Sequence, residues 1–286
     1  MAAQPAATLV NFVEEDGAVQ GTLDIADPYF NDSAGGYGHA LIQLSKAWDI
    51  STGSSAVIIA VLDTGINRLH PEFKGRVMAG TDFINGDSDP ADDHGHGTHV
   101  AGIAAAAIDG KGSAGVCPRC KIMPVKVLDK LNEGSWRSVS RGILYAVNHG
   151  AHVINLSLGG FASSDTLESA IQYAHDHGVV VVAAAGNGAT DEPFYPAALD
   201  DVIGVSAVVK KDVFWSLSDY GDYIDVAAPG VGILSSYHDL NFGGGYAFMT
   251  GTSMATPFVS GLVGLMLSVD PSLDPDKTVE LIRRSR

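Results

Sequence analysis

From Ala56 onward the chain is punctuated by near-continuous apolar runs, AVIIAVLD, KIMPVKVLD, AHVINLSLGG, GVVVVAAAGN and DVIGVSAV, each closing on or beside Gly, Asp or Asn. A run without polar alternation marks a strand buried on both faces, as in a parallel sheet. Between these runs, SVSRGILYAVNHG and SDTLESAIQYAHDHG carry helical periodicity and end at Gly150 and Gly178, where glycine suits a helix C-cap. Strands alternating with helices predict an α/β fold, a doubly wound, mostly parallel β-sheet with helices on both faces. Ligands on such sheets bind beyond the carboxyl ends of the strands, where Asp63, Ser157 and Asn187 fall. No internal repeat or low-complexity tract interrupts the pattern.

Composition narrows the picture. With 286 residues, 46% of them hydrophobic, the chain can bury one large core. Seventeen basic against 33 acidic residues leave a formal charge of -16, so nucleic acid and anionic membranes are excluded as partners and cations favoured. No uninterrupted apolar run reaches ~18 residues, so no membrane span is expected. Residues 1–7 lack a basic segment followed by an apolar one, so no signal peptide is read there. Cys117 and Cys120, in CPRC, admit a redox pair, half a metal site or a short-loop disulfide. Zinc would want more thiols or a paired His motif, and neither occurs.

Four residues carry candidate chemistry. Asp63 leaves a buried strand at a turn and needs a partner, although an Asx turn would also use it. His94, His96 and His99 crowd the start of a small-residue helix, with no H-E-x-x-H arrangement to hold zinc. His99 reads as a core histidine, whereas His96, beside glycines, is free to meet Asp63. Asn187 follows another strand, as a turn residue or an amide aimed at an oxyanion. Ser253, in GTSMATP, is either an N-cap or a nucleophile at a helix start. The order Asp63, His96, Asn187, Ser253 is not that of α/β-hydrolases, in which His comes last.

VLDTGI, HGTHVAG, SLGG, AAAGN and GTSMATP together resemble the subtilisin family of serine proteases, most closely its thermitase-like branch, from Asp27 to Ser268. The resemblance implies an Asp63-His96-Ser253 triad with Asn187 and the Ser253 N–H binding the oxyanion. It implies a secreted, monomeric endopeptidase that forms an acyl-enzyme on extended protein or peptide substrates. Gly134 would belong to the edge segment Asn132 to Trp136 that pairs with substrate. Ser157, Leu158 and Gly159, facing Ala184 and Gly186, would wall a wide S1 slot for medium or large apolar P1 residues. The Tyr195–Pro196 peptide would be cis. Pro257 is expected in the first turn of its helix, where no N–H is needed.

The same resemblance implies two structural calcium sites. One would draw on Asp82, Asp87 and Asp89, with carbonyls, water or Asp92 completing the shell because Ala91 replaces a later ligand. The other would join Asp27 and Glu72 to the loop bearing Ala107, Asp109, Lys111 and Ser113. Calcium and a persistent Cys117–Cys120 disulfide suit an extracellular protein. Residues 1–22 are read as a propeptide remnant and linker, the propeptide serving as folding aid and inhibitor. Residues 23–286 are read as the catalytic domain, trimmed at its C-terminal end.

Overall fold

In chain order the elements begin with short helices α1 (Tyr37–Leu41) and α2 (Leu44–Trp48), then β1 (Ile58–Asp63), β2 (Thr81–Asp82) and α3 (His96–Ala105). They continue with β3 (Lys121–Lys126), α4 (Trp136–Asn148), β4 (Val153–Leu156), α5 (Asp165–Asp176), β5 (Val180–Ala184) and β6 (Val202–Val209). The last are β7 (Val213–Phe214), β8 (Val226–Pro229), β9 (Ile233–Tyr237), β10 (Gly245–Met249), α6 (Thr252–Val269) and α7 (Pro275–Arg284). The computed structural model describes residues 25–30, 36–238 and 245–284. The propeptide-like stretch 9–20 lies outside them.

The main sheet runs β2-β3-β1-β4-β5-β6-β7, with β8 also paired to β6. All its pairs are parallel except β6 with β7. Alternate residues of β1 serve two cores. Ile59 and Val61 pack with Val100 of α3 and Phe258 and Val263 of α6, while Ala60 and Leu62 face Ile143 of α4 and Ile171 of α5. The sheet is thus covered by helices on both faces, which explains why its strands carry no polar alternation.

Local chemistry fixes the helix ends. Ser135 caps α4 in a reciprocal box with Ser138, and Ser164 caps α5 by accepting from the Leu167 N–H. Gly150 and Gly178, at φ +83° and +74°, end the two helices as the sequence predicts. One expectation is qualified and one needs correction. Helix α6 is long and apolar enough by composition to cross a membrane, yet it packs as a core helix on β5, β6 and α3. Pro257 lies in its second turn, not its first. The N–H that proline lacks would have met the carbonyl of Ser253, four residues back. That carbonyl accepts instead from Ser157 Oγ at 2.8 Å.

Candidate active site

The carboxyl end of β1 delivers Asp63, fully buried, to the first residue of α3. Asp63 Oδ1 lies 2.7 Å from His96 Nδ1 and also accepts from the Thr64 N–H at 2.7 Å. His96 begins α3 directly after Gly95, whose φ of +106° a side chain would rarely tolerate. The buried carboxylate of Asp92 fixes this helix start. It accepts from Thr64 Oγ1, the N–H groups of His94, Gly95 and Thr98, and Thr98 Oγ1, at 2.5–3.0 Å. Burial opposes its charge, but these bonds hold its pKa below the usual carboxylate range. Its five donors come from Thr64 and the start of α3, so Asp92 supports the position of His96.

Burial disfavours the His96 imidazolium, yet the facing charge and hydrogen bond of Asp63, with the charge of Asp92, raise its pKa overall. His99 behaves oppositely. Its Nε2 contacts the carbonyl oxygens of Ile233 and Ala247 at 3.1 and 3.0 Å, and burial pushes its pKa down to about 4. It is the core histidine expected from the sequence.

Ser253 is the second residue of α6. Its hydroxyl donates to the Ser157 carbonyl at 3.1 Å, whereas an engaged triad would have it on His96. Asn187 Oδ1 accepts from the N–H and Oγ1 of Thr252 at 2.9 and 3.1 Å, leaving the side-chain NH2 for the cleft. That cleft, about 710 Å³, is lined by Ser253 and Asn187 together with Gly134, Ser157, Leu158, Gly159, Ala184 and Gly186. Every wall residue named from the sequence therefore reaches it. Gly160 and Tyr195 exchange backbone hydrogen bonds across the slot at 2.9 and 2.8 Å, and the Tyr195–Pro196 peptide is cis.

Sequence reasoning missed Phe194 and Leu128, which line the cleft together with Trp136 of the expected edge segment. A Cβ on Gly159 would come within 2.3 Å of the Phe194 ring, so that ring closes the slot the walls leave open. Phe161 meets the Phe194 ring edge-on, with centroids 5.2 Å apart. The cleft is thus more aromatic than glycine and alanine walls suggest. The available signal was position, because Phe194 immediately precedes the proline-containing segment beside the slot.

The family model of the subtilase family matches residues 54–286, which is most of the chain and takes in all four catalytic candidates. The chain belongs to the subtilase family. By that membership it is a serine endopeptidase. It is 47% identical over 243 residues to thermitase of Thermoactinomyces vulgaris, covering 85% of each chain. It is 43% identical over 261 residues to a thermophilic serine proteinase of Bacillus sp. strain AK1, covering 91% of this chain and 64% of that one. A solved protease structure from Pseudoalteromonas arctica superposes with a TM-score of 0.82 at 33% identity, covering 91% of both chains.

In this subtilase the calcium candidates fall into two unlike groups. Asp27 and Glu72, both buried, meet the loop from Ala107 to Ser113. Asp27 accepts from the N–H groups of Asp109 and Gly110 at 3.3 and 3.4 Å, and Glu72 Oε1 from Ser113 N and Tyr246 Oη at 3.0 and 2.6 Å. The Glu72 carbonyl accepts from the Ala107 N–H at 3.1 Å, and Lys111 N donates to Asp109 at 3.2 Å. Glu72 Oε2 is buried without a hydrogen-bond partner. Burial, with the charges of Asp109 and Asp27 adding, pushes the Glu72 pKa up to about 7. Crowded, desolvated oxygens with one orphan fit a hard divalent cation.

In the other group the carboxylates are already engaged. Both oxygens of Asp82 are taken within its own turn, by Ile84 N, Asn85 N and Asn85 Nδ2 at 2.6–2.8 Å. Asp87 accepts from the Asp89 N–H at 2.8 Å, and Asp89 pairs with Arg68 at 2.6 Å. Neither this group nor that of Asp27, Glu72 and Asp109 brings three Asp, Glu, His or Cys side chains together as a metal cluster, and no other does so among the described residues. Cys117 and Cys120, both buried, form a disulfide.

Proposed function

We propose that this subtilase hydrolyses extended protein substrates through Asp63, His96 and Ser253, with Asn187 as oxyanion donor. The observations carrying the reading are the short Asp63–His96 bond and the cleft that Ser253 and Asn187 line. An extended substrate entering the cleft competes for backbone acceptors, and releasing the Ser253 hydroxyl from Ser157 frees it for His96. That the Ser253 hydroxyl rests on the Ser157 carbonyl without substrate is no obstacle, because catalytic bonds tighten on binding. Ser253 Oγ then attacks the peptide carbonyl carbon while His96 takes the hydroxyl proton. The Asn187 amide and the Ser253 N–H, at the positive end of α6, receive the oxyanion. The C–N bond breaks as His96 gives the proton to the leaving amine, and water, activated by His96, releases the acyl group.

The aromatic floor supplied by Phe194 favours apolar P1 side chains that reach the bottom of the slot without filling great width. Backbone pairing along Asn132 to Trp136 leaves specificity otherwise broad. The disulfide and the buried acids Asp27 and Glu72 suit an oxidising, calcium-rich exterior, which supports secretion. The decisive experiment is labelling by a fluorophosphonate followed by casein digestion. Labelling with digestion is expected. Labelling alone would indicate an esterase, and neither would indicate a silent binding module.

His96 must be neutral to accept the proton, so its raised pKa delays activity on the acid side. The profile of kcat/KM against pH should rise with an apparent pKa above the ordinary histidine value of 6.5. Asp92→Asn should move that limb to lower pH, because the Asp92 charge contributes to the rise. A limb unmoved by the substitution would remove Asp92 from the electrostatics of the site.

Calcium belongs on Asp27 and Glu72, with Asp109 and the carbonyl groups of Ala107, Lys111 and Ser113 completing its shell. Bound there, it would neutralise carboxylates that burial leaves repelling one another. A site on Asp82, Asp87 and Asp89 would first require Asp89 to leave Arg68. Without calcium, the raised pKa of Glu72 favours the folded state below its ordinary 4.5, and that contribution is lost as pH rises through about 7. Calcium at ~100 times its dissociation constant should restore about 2.7 kcal/mol per site. Melts of Ser253→Ala in EDTA and in calcium at pH 8 should therefore differ, with Asp27→Asn weakening the response. Equal melting temperatures would refute calcium binding.

A further inference from the structure

The turn that carries Asn187 is gripped from two sides. On one side the start of α6 holds it, since Thr252 donates twice to Asn187 Oδ1 and Thr252 Oγ1 accepts from the Gly186 N–H at 3.2 Å. On the other stands Asp219, in the connection between β7 and β8, with no solvent exposure. Its Oδ1 accepts from the N–H groups of Gly188 and Thr190 at 2.6 and 3.1 Å. Its own N–H donates to the Gly186 carbonyl at 3.0 Å. Asp219 thus touches positions 186, 188 and 190, bracketing Asn187 without touching the cleft.

Its second oxygen closes the grip. Asp219 Oδ2 is buried without a hydrogen-bond partner and packs against the bare Cα of Gly186, where a Cβ would come within 2.0 Å of it. Gly186 has φ +106°, so glycine is required there by conformation as well as by contact. The turn cannot slide toward Asp219, because the oxygen abuts it. It cannot slide away without breaking two hydrogen bonds to a carboxylate. The backbone of Asp219 is equally fixed, because Ser206 Oγ and Ser218 Oγ both donate to its carbonyl at 3.1 Å. This is a stiff mount, joined to the body of the sheet through β6.

We propose that Asp219 is a positioning residue of the oxyanion hole, its carboxylate setting where the Asn187 amide points when charge develops on the substrate carbonyl. The assignment rests on the reading of Asn187 as oxyanion donor. It predicts an effect on turnover and not on binding, because the ground-state carbonyl asks less of the amide than the oxyanion does.

The test is a double-mutant cycle on a chromogenic peptide anilide, with melting temperatures confirming that each variant is folded. Asp219→Ala should lower kcat about 10- to 100-fold with KM within about twofold, since misplacing a catalytic group by 1 Å costs up to ~10²-fold. Asp219→Asn keeps an accepting oxygen but a weaker, uncharged one, so kcat should fall only about three- to tenfold. In the Asn187→Ala background, where no amide remains to aim, either substitution should cost less than about threefold more. Equal losses in both backgrounds would mean that Asp219 merely stabilises the fold, and an unchanged kcat would mean that it does nothing; either result overturns the proposal. If Asp219→Ala does not fold, the Asn variant carries the same comparison. Should Asn187→Ala alone leave kcat unchanged, the oxyanion reading itself fails and takes this proposal with it.

Discussion

Ser253→Ala should reduce turnover on casein by roughly 10⁶-fold while leaving the protein folded, a magnitude borrowed from the same substitution in subtilisin. The loss is large because in the proposed mechanism the acyl intermediate forms on this hydroxyl. The Ser253 hydroxyl makes a single hydrogen bond, to the Ser157 carbonyl, so its removal forfeits about 1 kcal/mol of stability. The reverse bond, from Ser157 Oγ to the Ser253 carbonyl, belongs to the backbone of residue 253 and survives the change. Kinetics and a thermal melt on one preparation are enough. Residual hydrolysis within a few hundredfold of the parent enzyme would place the nucleophile elsewhere.

Asn187→Ala should lower kcat by about 10²- to 10³-fold with KM little changed, the figure known for one oxyanion donor in subtilisin. One complication comes from the structure. Asn187 Oδ1 also accepts from Thr252, so alanine removes a structural acceptor along with the catalytic donor. Asn187→Asp separates the two roles, since it keeps an oxygen for Thr252 while replacing the NH2 by an acceptor that repels an oxyanion. Both variants should be comparably slow. An aspartate variant as active as the parent would assign Asn187 to holding Thr252 and nothing more.

The parts of the fold that were legible in the sequence are those in which burial on both faces erases polar alternation. Strands β1, β3, β4, β5 and β6 read directly from their runs of aliphatic residues. Strand β9, Ile233–Tyr237, did not, because Ser235 and Ser236 interrupt its apolar pattern. Both serines are buried, and their hydroxyls donate to the carbonyl groups of His99 and Thr98. Small polar residues that satisfy helix backbone look, in one dimension, like a loop. The catalytic candidates were legible because each sits beyond a strand or at a helix start, where short motifs fix geometry. Acid spacing in the loop from Asp82 to Asp89 conveyed the number of carboxylates but not their directions, and the turns around Asp82 and Asp87 decide those. Asp219 gave no signal, since an acid between two short strands is ordinarily at the surface.

Pro257 denies the Ser253 carbonyl its helical donor, and the vacancy is filled by Ser157, whose own carbonyl holds the Ser253 hydroxyl. The wall proposed to meet the P1 side chain and the proposed nucleophile are therefore tied by two hydrogen bonds, of which the one to the Ser253 carbonyl persists when the hydroxyl is released. On the proposed mechanism, a P1 side chain that fits the slot badly should disturb both bonds at once, and the expected signature across a series of substrates is a fall in kcat larger than any rise in KM.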